Sequence, residues 1–146
     1  MLRMYVESDL PMCVKIYTEA FNAPPLSYSF LTAEKAERYL GDLVRTPGFL
    51  GYTYAEEGET VAFCFGKLDA YFEGTMFEVS ELAVTPGLHR SGVGSKVMRL
   101  LEIKLAGYGV QAVSLNTSRN LPAFEFYRKN GYEEIIESVA LMKPLI

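Results

Sequence analysis

The stretch "LHRSGVGSKVM", residues 88–98, sets Gly92 and Gly94 one residue apart beside Arg90, Ser91 and Ser95, where a strand-like run gives way to helical spacing. The first turn of a helix leaves about four amide N–H groups without intrahelical partners and carries about half a positive charge. Glycines let an anion approach that backbone closely. Arg90 supplies charge, and the two serines supply hydroxyl donors. The chemistry these residue types offer is the binding of a phosphate-like anion, and a pyrophosphate fits best. Two other phosphate loops are excluded. Gly87 and Gly92 have the spacing of a Walker A loop, but Val93 stands where lysine is required, and Val97 stands where a dinucleotide fingerprint needs its third glycine.

A second candidate lies just upstream in "FEVSELAV", where Glu78 and Glu81 interrupt a strand-like run that favours apolar and β-branched residues. A carboxylate in a half-buried strand needs a reason. One reason is general base chemistry, because partial burial raises a carboxyl pKa toward neutrality. The two residues are three apart, so a regular strand would place them on opposite faces.

The elements that must position these groups read as follows. Residues 2–6 form a strand, and Ser8 or Asp9 caps a helix to about residue 21. Thr32 begins a second helix with an apolar stripe of Ala36, Tyr39, Leu40 and Leu43. Residues 48–72 make an antiparallel hairpin around the acidic turn 56–59, and a third long strand covers 75–84. A helix from Val93 follows, then a strand over 111–117, a helix from Pro122 to Gly131, and a closing strand or hairpin over 132–143. Neither repeats nor low-complexity segments occur.

The 146 residues suit one domain, 1–146, and the 49% hydrophobic and 22% charged content suits a packed core. The net charge of -4 argues against a general nucleic-acid binder. No apolar run approaches the roughly 18 residues of a membrane span. The start does not read as a secretory signal, so a cytoplasmic location is expected and Asn116-Thr117-Ser118 carries no glycosylation. Cys13 and Cys64 sit in apolar surroundings and read as buried reduced thiols. With His89 the single histidine, no metal site is expected.

"VSELAVTPGLHRSGVGSKVMRLLEIKL" followed by "NLPAFEFYRKNGYEE" resembles the GNAT superfamily of acyl-CoA-dependent N-acyltransferases over residues 78–133. The resemblance implies an α/β (α+β) fold, with a mixed, mostly antiparallel sheet of about six to seven strands and about four helices. It implies that residues 89–95 (His89, Arg90, Ser91, Gly92, Val93, Gly94 and Ser95) hold the CoA pyrophosphate, although His89 departs from the glutamine or arginine usual at the first arm position. It places Leu82, Ala83 and Val84 against the pantetheine through their backbone. Asn120, Ala123, Phe126 and Tyr127 fall near the same cosubstrate, with Tyr127 matching the tyrosine that protonates the departing thiolate. An acidic group at Glu81 or Glu78 would deprotonate the amine, Glu81 being preferred, and the family's strand often carries a bulge that changes their parity.

The implied reaction is acetyl transfer from acetyl-CoA to a primary amine. Asp69, Glu73, Glu78 and Glu81 make the acceptor side acidic, which favours a small cationic amine. Tyr28, Phe30, Tyr52, Tyr54, Tyr71 and Phe72 are candidate walls of its pocket. A looser similarity to the bacterial aminoglycoside N-acetyltransferase-like branch covers "YLGDLVRTPGFLGY" and "EGTMFEVSELAV", although the tryptophan expected of that branch is missing. The alternatives are acetylation of a protein N-terminus or lysine, and a non-catalytic acyl-CoA sensor. A homodimer through terminal strands is compatible with the fold.

Overall fold

A computed structural model describes all residues, Met1–Ile146. The chain runs β1 (Leu2–Met4), α1 (Leu10–Asn22), α2 (Ala33–Val44), β2 (Phe49–Glu56), β3 (Glu59–Tyr71), β4 (Gly74–Val84), α3 (Val93–Gly107), β5 (Ala112–Ser114) and α4 (Pro122–Lys129), with single 3-10 turns at Glu7–Asp9 and Pro86–Leu88. The elements follow the expected order closely. Two units are distinguished by their internal contacts, Met1–Asn116 and Thr117–Ile146.

The first unit holds a five-stranded sheet in the order β1-β2-β3-β4-β5, antiparallel throughout except for the parallel pair β4 and β5. Alternation along β3 divides the core. Phe63 and Phe65 join Ala83 under α1 and α2, in a cluster with Cys13, Val14, Ile16, Tyr17, Ala20, Ala36 and Leu40. Ala62 and Cys64 face the other way, where Tyr52 and Tyr54 pair with them and α3 buries Val97, Met98, Leu101 and Leu105. Each large side chain buried in these layers contributes about 1.5–3 kcal/mol. Burial also pushes the Cys13 and Cys64 thiols up to about 12, which makes both inert.

Local chemistry explains the helix starts. Thr32 accepts a hydrogen bond from the Lys35 amide at 3.2 Å and so caps α2. Asp9 precedes α1 without capping it. Its carboxylate instead accepts from the Val6 amide and from Arg3, which holds it below the usual carboxylate range.

The strand expected over 132–143 is not formed, and the sheet has five strands rather than six to seven. Strand-like alternation specifies a strand only where a neighbouring edge takes up its amides and carbonyls. Residues 134–146 have no helix or strand, and Ile136, Val139, Leu141 and Met142 are exposed.

One irregularity in the sheet sets which way the end of β4 faces. Phe65 pairs with Glu81 but its neighbour Gly66 pairs with Val79, so Ser80 is an extra residue in β4. Gly66 fits there because a Cβ would lie 2.3 Å from the Glu78 carbonyl oxygen and 2.4 Å from the Phe77 ring. Gly66→Ala is therefore expected to destabilise the fold by about 1–3 kcal/mol in chemical denaturation, as overpacking does. An unchanged midpoint would mean that the two strands are not held this closely.

Candidate active site

The bulge decides where the two carboxylates point. Glu78 pairs with Lys67 and Glu81 with Phe65. Those partners are two apart on β3 and share a face, so Glu78 and Glu81 share it as well. The three steps from Glu78 to Glu81 include the inserted Ser80 and so match two on β3, which restores the parity that a regular strand would deny. The shared face is the one covered by α1 and α2, as Phe65 and Ala83 in the helix-side cluster show.

Glu81 lies in a largely apolar setting with two phenols aimed at it. The Tyr17 hydroxyl, from α1, donates to Oε1 at 3.1 Å, and the Tyr39 hydroxyl, from α2, donates to the same oxygen at 2.9 Å. Burial raises the Glu81 carboxyl above the usual range, and the two phenol hydrogen bonds partly offset that rise. In return, burial and then the Glu81 charge push both phenols well above their ordinary range. The phenols therefore stay protonated at neutral pH. Glu78 is placed differently. With Lys67, Ser80, Thr46, Phe49 and Phe65 it lines a cleft of about 230 Å3 between the end of α2 and the bulge.

Downstream, β4 loses one neighbour. The pairing with β5 ends at Glu78 and Ser114, so residues 79–84, including Leu82, Ala83 and Val84, have a partner strand on one side only. The backbone groups facing the other side are available to an extended ligand.

The glycine turn follows directly. Arg90 and Gly92 both adopt left-handed backbone, with φ of 64° and 88°, and Gly92 is the residue preceding the first turn of α3. A Cβ at Gly92 would meet nothing within 4 Å, so the backbone angle and not crowding calls for glycine. The first bond of the helix runs from the Lys96 amide to the Gly92 carbonyl at 3.0 Å, and no side chain caps the end. The amides of Gly92, Val93, Gly94 and Ser95 consequently have no backbone acceptor. Ser91 is committed elsewhere, its hydroxyl and its amide both donating to the Leu88 carbonyl. His89 is committed too. Its Nε2 lies 2.8 Å from the Val84 carbonyl, which can only accept, so the proton resides on Nε2 and the ring ties the turn to the end of β4.

In the second unit, Tyr127 is buried on α4, with edge-on contacts to Phe126 at 5.0 Å and Tyr132 at 5.4 Å between ring centroids. Ala123 lies in the first turn of this helix. Asn120 does not cap it. Leu121 occupies the cap position, and the Asn120 amide donates to Ser118 Oγ at 3.3 Å.

The aromatic residues expected to wall an acceptor pocket divide. Tyr28 stacks between Phe21 and Phe30, and Phe21 in turn packs on Tyr17, giving a row of rings that starts at a Glu81 ligand. Tyr52 and Tyr54 are core residues on the opposite sheet face, and Tyr71 and Phe72 lie exposed beside the β3–β4 turn. The residues that touch Glu81, Tyr17 and Tyr39, were not singled out from sequence. The one available signal was a hydroxyl-bearing ring within an apolar helical stripe, which also fits an ordinary core position.

The family model for the acetyltransferase (GNAT) family matches residues 10–132. The chain belongs to the GNAT acetyltransferase family. Solved GNAT-fold structures match it along its whole length. A possible acetyltransferase from Clostridium difficile shares 12% identity at a TM-score of 0.81, covering 100% of this chain and 98% of that one. An aminoglycoside 6'-N-acetyltransferase from Acinetobacter haemolyticus shares 14% at 0.73, covering 100% and 99%. An aminoglycoside acetyltransferase from an uncultured soil metagenomic sample, solved with sisomicin, shares 18% at 0.73, covering 100% and 96%. At such identities the likeness is one of fold. No curated protein sequence matches the chain. No helix is long and apolar enough to cross a membrane, and no group of three or more His, Cys, Asp or Glu is placed to hold a metal ion.

A buried acid in a GNAT domain has a measurable cost. Because the folded pKa of Glu81 is raised, its favourable contribution is complete below the ordinary carboxyl range and is lost as pH rises through the raised value. Glu81→Gln is expected to unfold at a higher temperature than the parent at neutral pH, and the difference should shrink as pH is lowered toward the ordinary carboxyl range. A difference that does not change with pH would show that Glu81 is solvated.

Proposed function

We propose that this chain transfers an acetyl group from acetyl-CoA to the primary amine of a small cationic molecule, by direct attack of the amine. The observation that supports it most is the arrangement along one stretch of chain. A buried carboxylate of raised pKa, an open strand edge and four unpaired helix amides succeed one another from Glu81 to Ser95.

In this reading the amides of Gly92 to Ser95, with Arg90 beside them, bind the pyrophosphate of the cosubstrate. The edge at Leu82 and Ala83 aligns the pantetheine, and a backbone N–H there stabilises the negative charge that develops on the thioester carbonyl oxygen. Glu81 removes a proton from the ammonium so that nitrogen has a lone pair for attack. Glu78 and the neighbouring acidic side chains attract the cation. Tyr127 returns a proton from its phenol to the departing sulfur. That two fold neighbours act on aminoglycosides, which are polyamines, is in keeping with a cationic acceptor.

The test is release of free thiol from acetyl-CoA across a panel of polyamines and aminoglycosides. Turnover with at least one amine is expected, with a loss of about 10²–10⁴-fold in Glu81→Gln. Full activity in Glu81→Gln would remove the assigned base. Calorimetry gives a separate result, since CoA should bind the parent and Glu81→Gln equally. If neither protein binds CoA, the whole reading falls. Tyr127→Phe should lower kcat while leaving CoA affinity intact, and an unchanged kcat would dismiss it as the acid.

A further inference from the structure

We propose that Tyr17 and Tyr39 are positioning residues that together occupy one oxygen of Glu81 and so reserve the other, Oε2, for the proton of the acceptor amine. This rests on the reading of Glu81 as the base and adds which atom acts and what holds it. Both hydroxyls donate to Oε1, at 3.1 and 2.9 Å, and an ionised carboxylate oxygen offers about two lone-pair sites. Oε1 is therefore filled, while no protein donor reaches Oε2. In the proton transfer an N–H bond of the ammonium breaks and an O–H bond to Oε2 forms, leaving the electron pair on nitrogen.

The two donors come from different helices, which makes the clamp a property of the fold. Tyr17 is buried on α1 and packs on Phe21, Tyr39 and Phe63. Tyr39 projects from α2 with its ring partly exposed. Two fixed donors on one oxygen hold the carboxylate plane at one angle within the broad terminal torsion of glutamate. They also favour the ionised form and oppose the burial that would otherwise keep the acid neutral. Besides the two phenols, the nearest titratable group is the Cys64 thiol of β3, which lies on the opposite sheet face and is neutral at working pH, while Glu78 and Lys67 pair further along the strands.

A 13C-NMR titration of the Glu81 carboxyl, in protein labelled at glutamate and assigned by its loss in Glu81→Gln, reads the clamp directly and needs no acceptor. Tyr39→Phe and Tyr17→Phe should each raise the Glu81 pKa, and the double variant should raise it further. In thiol release, the acid limb of kcat/KM should move by the same amount, with about a tenfold loss on that limb per unit of displacement and recovery at higher pH. A folding defect would lower the rate at every pH, and thermal unfolding identifies it. An unmoved Glu81 titration in all three variants overturns the clamp and leaves the assignment of Glu81 as base intact. Conversely, full turnover in Glu81→Gln overturns the assignment of the base and leaves the clamp geometry in place.

Discussion

The extra residue in β4 at Ser80 is the constraint on which the rest of the site depends. Before it, Phe77 and Val79 belong to the face that packs toward α3, opposite Leu68 and Gly66. After it, Glu81 and Ala83 lie on the helix-pair face opposite Phe65 and Phe63. Without the insertion, strict alternation would carry Glu81 and Ala83 to the same side as Phe77, into the apolar layer beneath α3. A carboxylate there would meet neither Tyr17 nor Tyr39. The bulge thus changes the destination of every side chain beyond it, and Gly66 across the ladder supplies the space that Phe77 needs at that point.

That rephasing creates an electrostatic balance. Glu81 is carried under two helices, where desolvation favours its neutral form. The same helices bring two hydroxyls that favour its ionised form. A solvated glutamate would be ionised at neutral pH yet too weak a base, and a fully buried unpaired one would be protonated and useless. Two donors within burial offset part of the rise, which is the balance that the proposed base role calls for.

The sequence shows some of this arrangement and hides the remainder for physical reasons. Local signals were legible. Thr32 caps α2, the acidic turn closes the β2–β3 hairpin, and the glycine pair opens α3 with left-handed backbone at Gly92. Relations between distant segments were harder to see. Counting by twos along "FEVSELAV" puts Glu78 and Glu81 on opposite faces, because a bulge has no residue signature of its own and the compensating Gly66 lies on another strand. Tyr39 reads as one member of an apolar stripe, since helical periodicity reports the face of a side chain and not the partner of its hydroxyl. Asn120 before Pro122 has the composition of a cap, but the helix starts one residue later, at a position whose side chain cannot accept a hydrogen bond. The alternation over 132–143 meets the pattern of a strand and lacks the ladder partner that would make it one.

His89 shows how a departure from a family pattern can still serve the same turn. The usual glutamine or arginine at that arm position brings a donor on a long, mobile side chain. The shorter imidazole instead spends its Nε2 proton on the Val84 carbonyl, fixing the turn to the strand end from which it leaves. Two consequences follow for the binding of an anion. The main-chain amides of residues 92–95 are held in place before a ligand arrives, so less ordering is required on binding. The positive side chain adjoining them in sequence is Arg90, which leaves the turn from a left-handed backbone. One lone pair of the Val84 carbonyl is also already used. In the proposed complex, strand-like pairing with the cosubstrate then falls to Leu82 and Ala83, next to the carboxylate that the bulge has turned inward.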